Sequence, residues 1–306
     1  MPNIGDVAFR FLIYGCGLII LLTALYLVYE LADQARPAFS KFGLGFLTGR
    51  TWNPVTETFG ALPTIYGTLI SSALAVLLAV PISIGAAVFL SEIAPAWLRT
   101  PASYLIETLA AIPSVIFGLW ALFILVPIMR DPVEKVLGQH FSWIPLFNGP
   151  QFGIGLLSAG VILAIMILPI ITAVSRDVML AIPITQREAM LALGATRWEV
   201  VSKAVIPYAR SGLHGAVILG LGRAMGETMA VTMVIGNSFK VPRSLFDPAH
   251  TISSGIASQF PEASAGVFIA SLIYLALILF VISLVINIAA RLLVGRLVRV
   301  PGRIRE

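Results

Sequence analysis

Six stretches of this chain run for about 20 or more residues almost without charge, at about 11–31, 64–90, 105–129, 152–174, 212–236 and 265–290. About 20 apolar residues in a helix cross the roughly 30 Å hydrocarbon core of a bilayer, and a helix satisfies its own backbone amides there. The chain is therefore predicted to be an all-α polytopic membrane protein with about six transmembrane helices. Composition rules out an ordinary soluble domain: 58% of the 306 residues are hydrophobic and 11% are charged, where about 25% charged is usual. The first run, FLIYGCGLIILLTALYLVY, follows a single basic residue, Arg10, and precedes no small-x-small cleavage site. It is predicted to be a retained helix rather than a leader.

Basic residues orient the spans. With the N-terminus inside, the segments on that side carry twelve Lys and Arg and the opposite segments seven. An excess of Lys and Arg marks the cytoplasmic side, so both termini are predicted to be cytoplasmic. Five of the twelve lie in RLLVGRLVRVPGRIRE, after the last span. The net charge of +5 is thus a topology signal and gives little support to nucleic-acid binding. A single cysteine, Cys16, leaves no disulfide within the chain, and His140, His214 and His250 are scattered. No metal site is predicted from them.

Proline interrupts three spans, at Pro81, Pro113 and Pro169, and each removes a helix hydrogen bond and tends to kink the helix. Gly222 and Gly226 form a GxxxG step for close helix contact. Ordinary bundle packing accounts for these residues as well as transport does.

The longest predicted cytoplasmic segment contains TQREAMLALGATRWEVVSKAVIP. Thr185 with Glu188, and Thr196 with Glu199, have the spacing of capping boxes. Gly194 stands between them, where helices often end in a left-handed glycine. Two short helices at about 186–192 and 197–205 are predicted, with Ala189, Met190, Ala192, Leu193, Trp198 and Val201 giving them more apolar surface than a solvated hairpin needs. That surface fits either the chain's own helix ends or a cytoplasmic partner.

EAMLALGATRWEVVSKAVIP resembles the EAA loop of ABC-transporter permeases: EAA, three residues, Gly, nine residues, then I-x-LP. Glu188, Ala189, Gly194 and Pro207 fall at matching positions, while Met190, Ala204 and Ile206 depart from the pattern and remain apolar. Four further segments, at 59–92, 107–127, 166–183 and 220–237, are similar to PstC-type permease subunits of bacterial phosphate ABC importers. The resemblance implies a type I-like importer permease fold, forming one transmembrane domain over 1–306 with a coupling loop at about 183–207. It implies that Glu188, Ala189, Met190, Leu193, Gly194, Ala195, Trp198 and Pro207 couple the chain to an ATPase. The implied partners are a PstA-like second permease subunit, a PstB-like ATPase dimer, a PstS-like phosphate-binding protein and inorganic phosphate. No GxxxxGK[ST] phosphate loop occurs in this chain, so no cofactor is expected on it. ATP and Mg would be used by the partner ATPase.

One pair of charges remains inside a span: Arg223 and Glu227 in GRAMGETMAV. Counted from residue 212, Arg223 lies about 11 residues, or some 16 Å, into a helix, near the middle of the bilayer core. Four residues apart on a continuous helix, the two side chains can touch. One reading is a self-neutralising ion pair that fixes helix register; the other is a substrate path, the default for ionisable groups at that depth. A guanidinium suits phosphate through paired hydrogen bonds, and a carboxylate can accept a bond from protonated phosphate. Thr228, Thr232 and Ser114 are weaker candidates for the same path, since hydroxyls in spans often bond their own backbone. Glu107 is predicted to be interfacial. An ABC permease for another oxyanion, a secondary transporter and an intramembrane hydrolase using His214 are the competing classes. The last of these lacks any GxSG or paired-aspartate motif.

Overall fold

The computed structural model describes residues 4–264 and 266–297. Three of the tail arginines used to orient the chain, Arg299, Arg303 and Arg305, lie outside the described residues. Helix α1 (Ile4–Gln34) leads into α2 (Arg36–Phe42), α3 (Gly45–Thr48) and a two-stranded hairpin, β1 (Trp52–Asn53) with β2 (Thr58–Phe59). Next comes α4 (Leu62–Val88), which ends in a π-turn at Phe89–Ile93, followed by α5 (Ala96–Ala111). α6 (Ser114–Trp120), α7 (Val126–Ile128) and α8 (Lys135–His140) form one rod with π-turns at its joints. α9 (Leu156–Leu180) and α10 (Ile184–Ala192) precede α11 (Arg197–Val200), which runs through a π-turn at Val201–Val205 into α12 (Ile206–Gly226). α13 (Met229–Val234), α14 (Ile252–Gln259) and α15 (Val267–Leu297) follow.

Among the described residues six helical rods are long and apolar enough to span a membrane: Phe9–Gln34, Leu62–Ile93, Ser114–His140, Leu156–Leu180, Arg197–Gly226 and Val267–Leu292. The number agrees with the sequence, but two spans are built differently. The third does not run from 105 to 129. Ile112 is extended (φ −62, ψ 130), as a residue before proline tends to be, so the helix breaks at Pro113 and α5 becomes a separate element. Past residue 129 the rod continues, and its charges find partners. Arg130 and Lys135 reach Asp131 at 2.9 and 3.4 Å, and Glu134 Oε2 accepts from Gly153 N–H at 2.9 Å. The fifth span begins earlier than residue 212 and stops at Gly226. Pro81 and Pro169, by contrast, stay inside unbroken helices.

α9 is the core of the bundle, with two-thirds of its apolar window buried, whereas none of the α1 window is buried. Small residues set this arrangement, because a bundle in lipid gains from close van der Waals approach rather than from removing apolar surface from water. A methyl on Gly160 would come within 2.8 Å of Leu74 on α4; on Gly220 it would meet Ile171 at 2.7 Å, and on Gly212 Val178 at 2.4 Å. Ser83 adds a polar tie, donating from α4 to the Leu168 carbonyl of α9 at 3.1 Å.

At one end of the bundle an aromatic cluster joins α3, the hairpin and α15: Phe46 stacks on Tyr274 (4.6 Å) and Phe59 on Phe268 (5.2 Å). Trp52 stacks on Phe239 (5.0 Å). Trp52 also meets Phe59 edge-on at 4.8 Å, which closes the cluster over the hairpin. At the opposite end Ala87, Met179, Ile182, Val200, Val205 and Ala209 make a separate core that seats the α10–α11 hairpin on the ends of α4 and α9.

Candidate functional site

Arg223 and Glu227 do not share a helix face. α12 ends at Gly226, and Glu227 turns extended (φ −68, ψ 130) before α13 begins. Gly222 and Gly226, one turn apart at the end of α12, weaken the helix, and the departing chain is held by other bonds. Glu227 Oε1 lies 3.5 Å from the Ala230 amide in the first turn of α13, where a helix leaves amides unsatisfied. Ser253 of α14 donates to the Glu227 carbonyl at 2.8 Å. Glu227 is buried and Arg223 exposed. Among the described residues no ion pair joins them, so the predicted contact between positions i and i+4 is not formed.

Arg223 instead faces a groove of about 840 Å³ between α9, α12 and α15, lined by Ile170, Leu219, Gly222, Leu284, Asn287 and Arg291 among others. Two guanidinium groups and one side-chain amide are its polar lining, with no carboxylate. Among the described residues neither Arg223 nor Arg291 is in an ion pair. Like charges with low-dielectric walls concentrate a field that attracts anions. Asn287 and Arg291 were missed by sequence reasoning. Arg291 was counted only among the five arginines of the tail. Their i, i+4 spacing was the available signal.

The three hydroxyl candidates are dispersed. Thr228 donates to the Gly226 carbonyl (3.3 Å) and Thr232 to the Thr228 carbonyl (2.7 Å), so both bond local backbone. Ser114 opens α6 just after the Pro113 break. α6 and α13 meet at Gly118, where a methyl would fall 2.6 Å from Met233 Sδ and 3.0 Å from Ala230 Cα. The two interrupted spans are therefore in contact just beyond their breaks.

The α10–α11 hairpin has one of its two predicted caps. Thr196 and Glu199 form a full capping box. The Thr185–Glu188 box does not form, because α10 starts at Ile184 with Pro183 as its N-cap and Thr185 is already inside the helix. Gly194 is left-handed (φ 82). The predicted helix at 197–205 is not separate from the fifth span. Pro207 has no N–H to give, and the π-turn before it shifts the bonding register so that the rod continues. Met190 and Ala195 pack on the core beneath the hairpin. Ala189, Met190 and Pro207 line a groove between α10 and α12. Glu188 is exposed, and Leu193 and Trp198 are 85% and 69% exposed, an apolar tip left uncovered by the described residues.

Glu107 is half exposed and also carries a tie between helices. It accepts from Arg176 of α9 at 3.0 Å, and Arg176 also reaches Asp177 at 2.7 Å, so α5 is tied to α9 by a nearly buried guanidinium.

Solved structures with a similar arrangement include ABC importers. A bacterial ABC transporter involved in the import of the acidic polysaccharide alginate matches with a TM-score of 0.63 at 18% identity, over 96% of this chain and 99% of that one. An inward-facing MetNI methionine ABC transporter matches with a TM-score of 0.55 at 22% identity, over 78% and 95%. These likenesses concern the fold, which is that of an ABC importer permease. The model of the binding-protein-dependent transport system inner membrane component matches residues 79–299. PstC phosphate transport system permease proteins of Pasteurella multocida and Mesorhizobium japonicum are each 51% identical, over 87% and 85% of this chain and 84% and 81% of theirs. That of Xylella fastidiosa (strain 9a5c) is 43% identical over 97% of this chain and 93% of its own. The chain belongs to the binding-protein-dependent inner-membrane transport components and, within them, to the PstC-type permeases. It is a multi-pass inner-membrane protein.

Proposed function

We propose that this chain, acting as one permease domain, is the PstC-type subunit of an ATP-driven phosphate importer, and that the α9–α12–α15 groove forms part of its phosphate path. The observation that carries the site is the groove itself: Arg223, Asn287 and Arg291 converge without a carboxylate to neutralise them. Guanidinium forks and an amide match phosphate oxygens, and without a protein counter-ion the anion is the natural partner. Glu227 serves the path by holding the α12–α13 break, since its carboxylate is turned onto α13 rather than into the groove. Thr228, Thr232 and Ser114 flank the two breaks.

The end carrying the α10–α11 hairpin faces the cytoplasm, in accord with the basic residues of that segment. There Leu193 and Trp198 enter a PstB-like ATPase dimer, with Glu188, Ala189, Met190, Gly194, Ala195 and Pro207 shaping the hairpin. ATP and Mg act on that partner and not on this chain. A PstA-like subunit and lipid cover the unburied α1, and a PstS-like protein delivers phosphate at the opposite end.

Phosphate uptake by cells lacking this chain and resupplied with it tests the reading. Uptake should return only with the ATPase present and should persist when ion gradients are collapsed. Gradient-driven uptake without the ATPase points to a secondary transporter. ATP-dependent uptake of sulfate without uptake of phosphate assigns the path to another oxyanion.

A further inference from the structure

Arg187 is the most fully engaged guanidinium in the hairpin. It stands one residue before Glu188, half-buried on the inner side of α10. Its Nε donates to Glu92 Oε2 at 3.1 Å and its Nη2 to Glu92 Oε1 at 2.8 Å, a two-pronged pair. Nη1 donates to the Ile182 carbonyl at 2.7 Å and Nη2 also to the Met179 carbonyl at 2.8 Å. Only 18% of the Arg187 side chain and 11% of Glu92 are exposed. Such a fork fixes geometry as well as charge, and a cation at a helix C-terminus complements the carbonyls there.

Three elements thus meet on one side chain: α10, the end of α9, and the π-turn between α4 and α5 that carries Glu92. From that corner α5 runs to the Pro113 break, tied to α9 on the way by Arg176 and Glu107. Beyond the break α6 abuts α13 at Gly118, next to the Glu227 interruption. The contacts form one unbroken route from the hairpin to the neighbourhood of the Arg223 groove.

We infer that Arg187 and Glu92 are a positioning pair that carries movement of the α10–α11 hairpin into the α4–α5 corner, and so couples ATP hydrolysis to opening of the path. This rests on the reading of the hairpin as the ATPase-docking loop. The Arg187–Glu92 pair moves as a unit with the hairpin. An ordinary apolar contact would let the hairpin slide on the helix ends, whereas a two-pronged pair backed by two carbonyls resists sliding in any direction.

The test uses the complete transporter, with phosphate uptake measured in cells, and ATP hydrolysis and ATPase retention measured on the purified complex. Glu92→Gln and Arg187→Lys should each lower uptake at least tenfold while hydrolysis by the retained ATPase falls less than threefold. Normal ratios of uptake to hydrolysis in both variants overturn the inference. If either variant fails to assemble, Glu92→Cys with Arg187→Cys replaces it in a background where the free, exposed Cys16 is changed to Ser. Uptake should be low in that protein and recover when a short bifunctional thiol reagent joins the two cysteines; unchanged or lower uptake after joining overturns the inference. Trp198→Asp separates the two readings. Full ATPase retention in Trp198→Asp rejects the docking loop itself, whereas loss of the ATPase there with normal ratios in the pair variants rejects only the coupling role.

Discussion

Arg187 and Arg223 are both arginines on helices of this apolar protein, and the protein treats them in opposite ways. Arg187 has a carboxylate and two carbonyls around it. Arg223 has a groove shared with a second arginine and, among the described residues, no bonded partner. A charge removed from water requires compensation. Where the chain supplies it, the arginine is committed to holding elements together. Where it does not, compensation comes from outside, from an anion or a covering subunit. The end carrying the hairpin is built by the first rule and the middle of the bundle by the second.

The most direct way to break the contrast is to give Arg223 the partner it lacks. Asn287→Asp keeps the size of the side chain and places a carboxylate in the groove. Phosphate uptake should fall roughly a hundredfold, the scale of one buried charge interaction, with normal insertion and ATPase retention; unchanged uptake means the groove is not the path. A smaller effect concerns a group that the fold satisfies by keeping it neutral. His250, in the loop before α14, is buried against Phe239 and bonded to Ser254, and burial lowers its pKa from 6.5 to about 4. The unfolded ring takes up a proton below about pH 6.5 and the folded ring does not. Stability is therefore fully present above that pH and declines as pH falls toward 4, by up to roughly 3 kcal/mol. Thermal unfolding in detergent should show this slope, and His250→Asn should flatten it.

Gly118→Val tests the seam between the two broken spans. The added methyls meet Met233 and the α13 backbone, so a loss of about 1–3 kcal/mol is expected, together with slower uptake. The smallest effects lie in the hairpin, where Thr196→Ala removes a formed capping box at about 1 kcal/mol. Thr185→Ala should change stability by no more than a few tenths of that, because its box is not made. Equal effects at the two threonines contradict the hairpin geometry.

These differences show what a sequence can carry. Six spans were legible because hydropathy over about 20 residues is a local property. The third span was misplaced because apolar α5 abuts Pro113 without a polar gap, while charges at 130–135 that neutralise one another hid the helix beyond. The Thr196 cap and the Gly194 turn were legible as local motifs. Thr185 had the same motif and lost to Pro183, which fixes where α10 starts. Arg223 was legible as an anomaly, but its surroundings were not. Its pairing with Glu227 assumed an unbroken helix, and Asn287 and Arg291 arrive from a helix about 65 residues further along the chain. Arg187 and Glu92 are likewise far apart in sequence, and nothing local announces either as a partner.

Phosphate uptake by Arg223→Gln, measured in cells with the assembled transporter quantified in the same membranes, tests the account most directly. Uptake should be abolished, at least a hundredfold below that of the unaltered protein, with the ATPase retained in normal amount. Uptake at the normal rate would contradict a phosphate path through the groove.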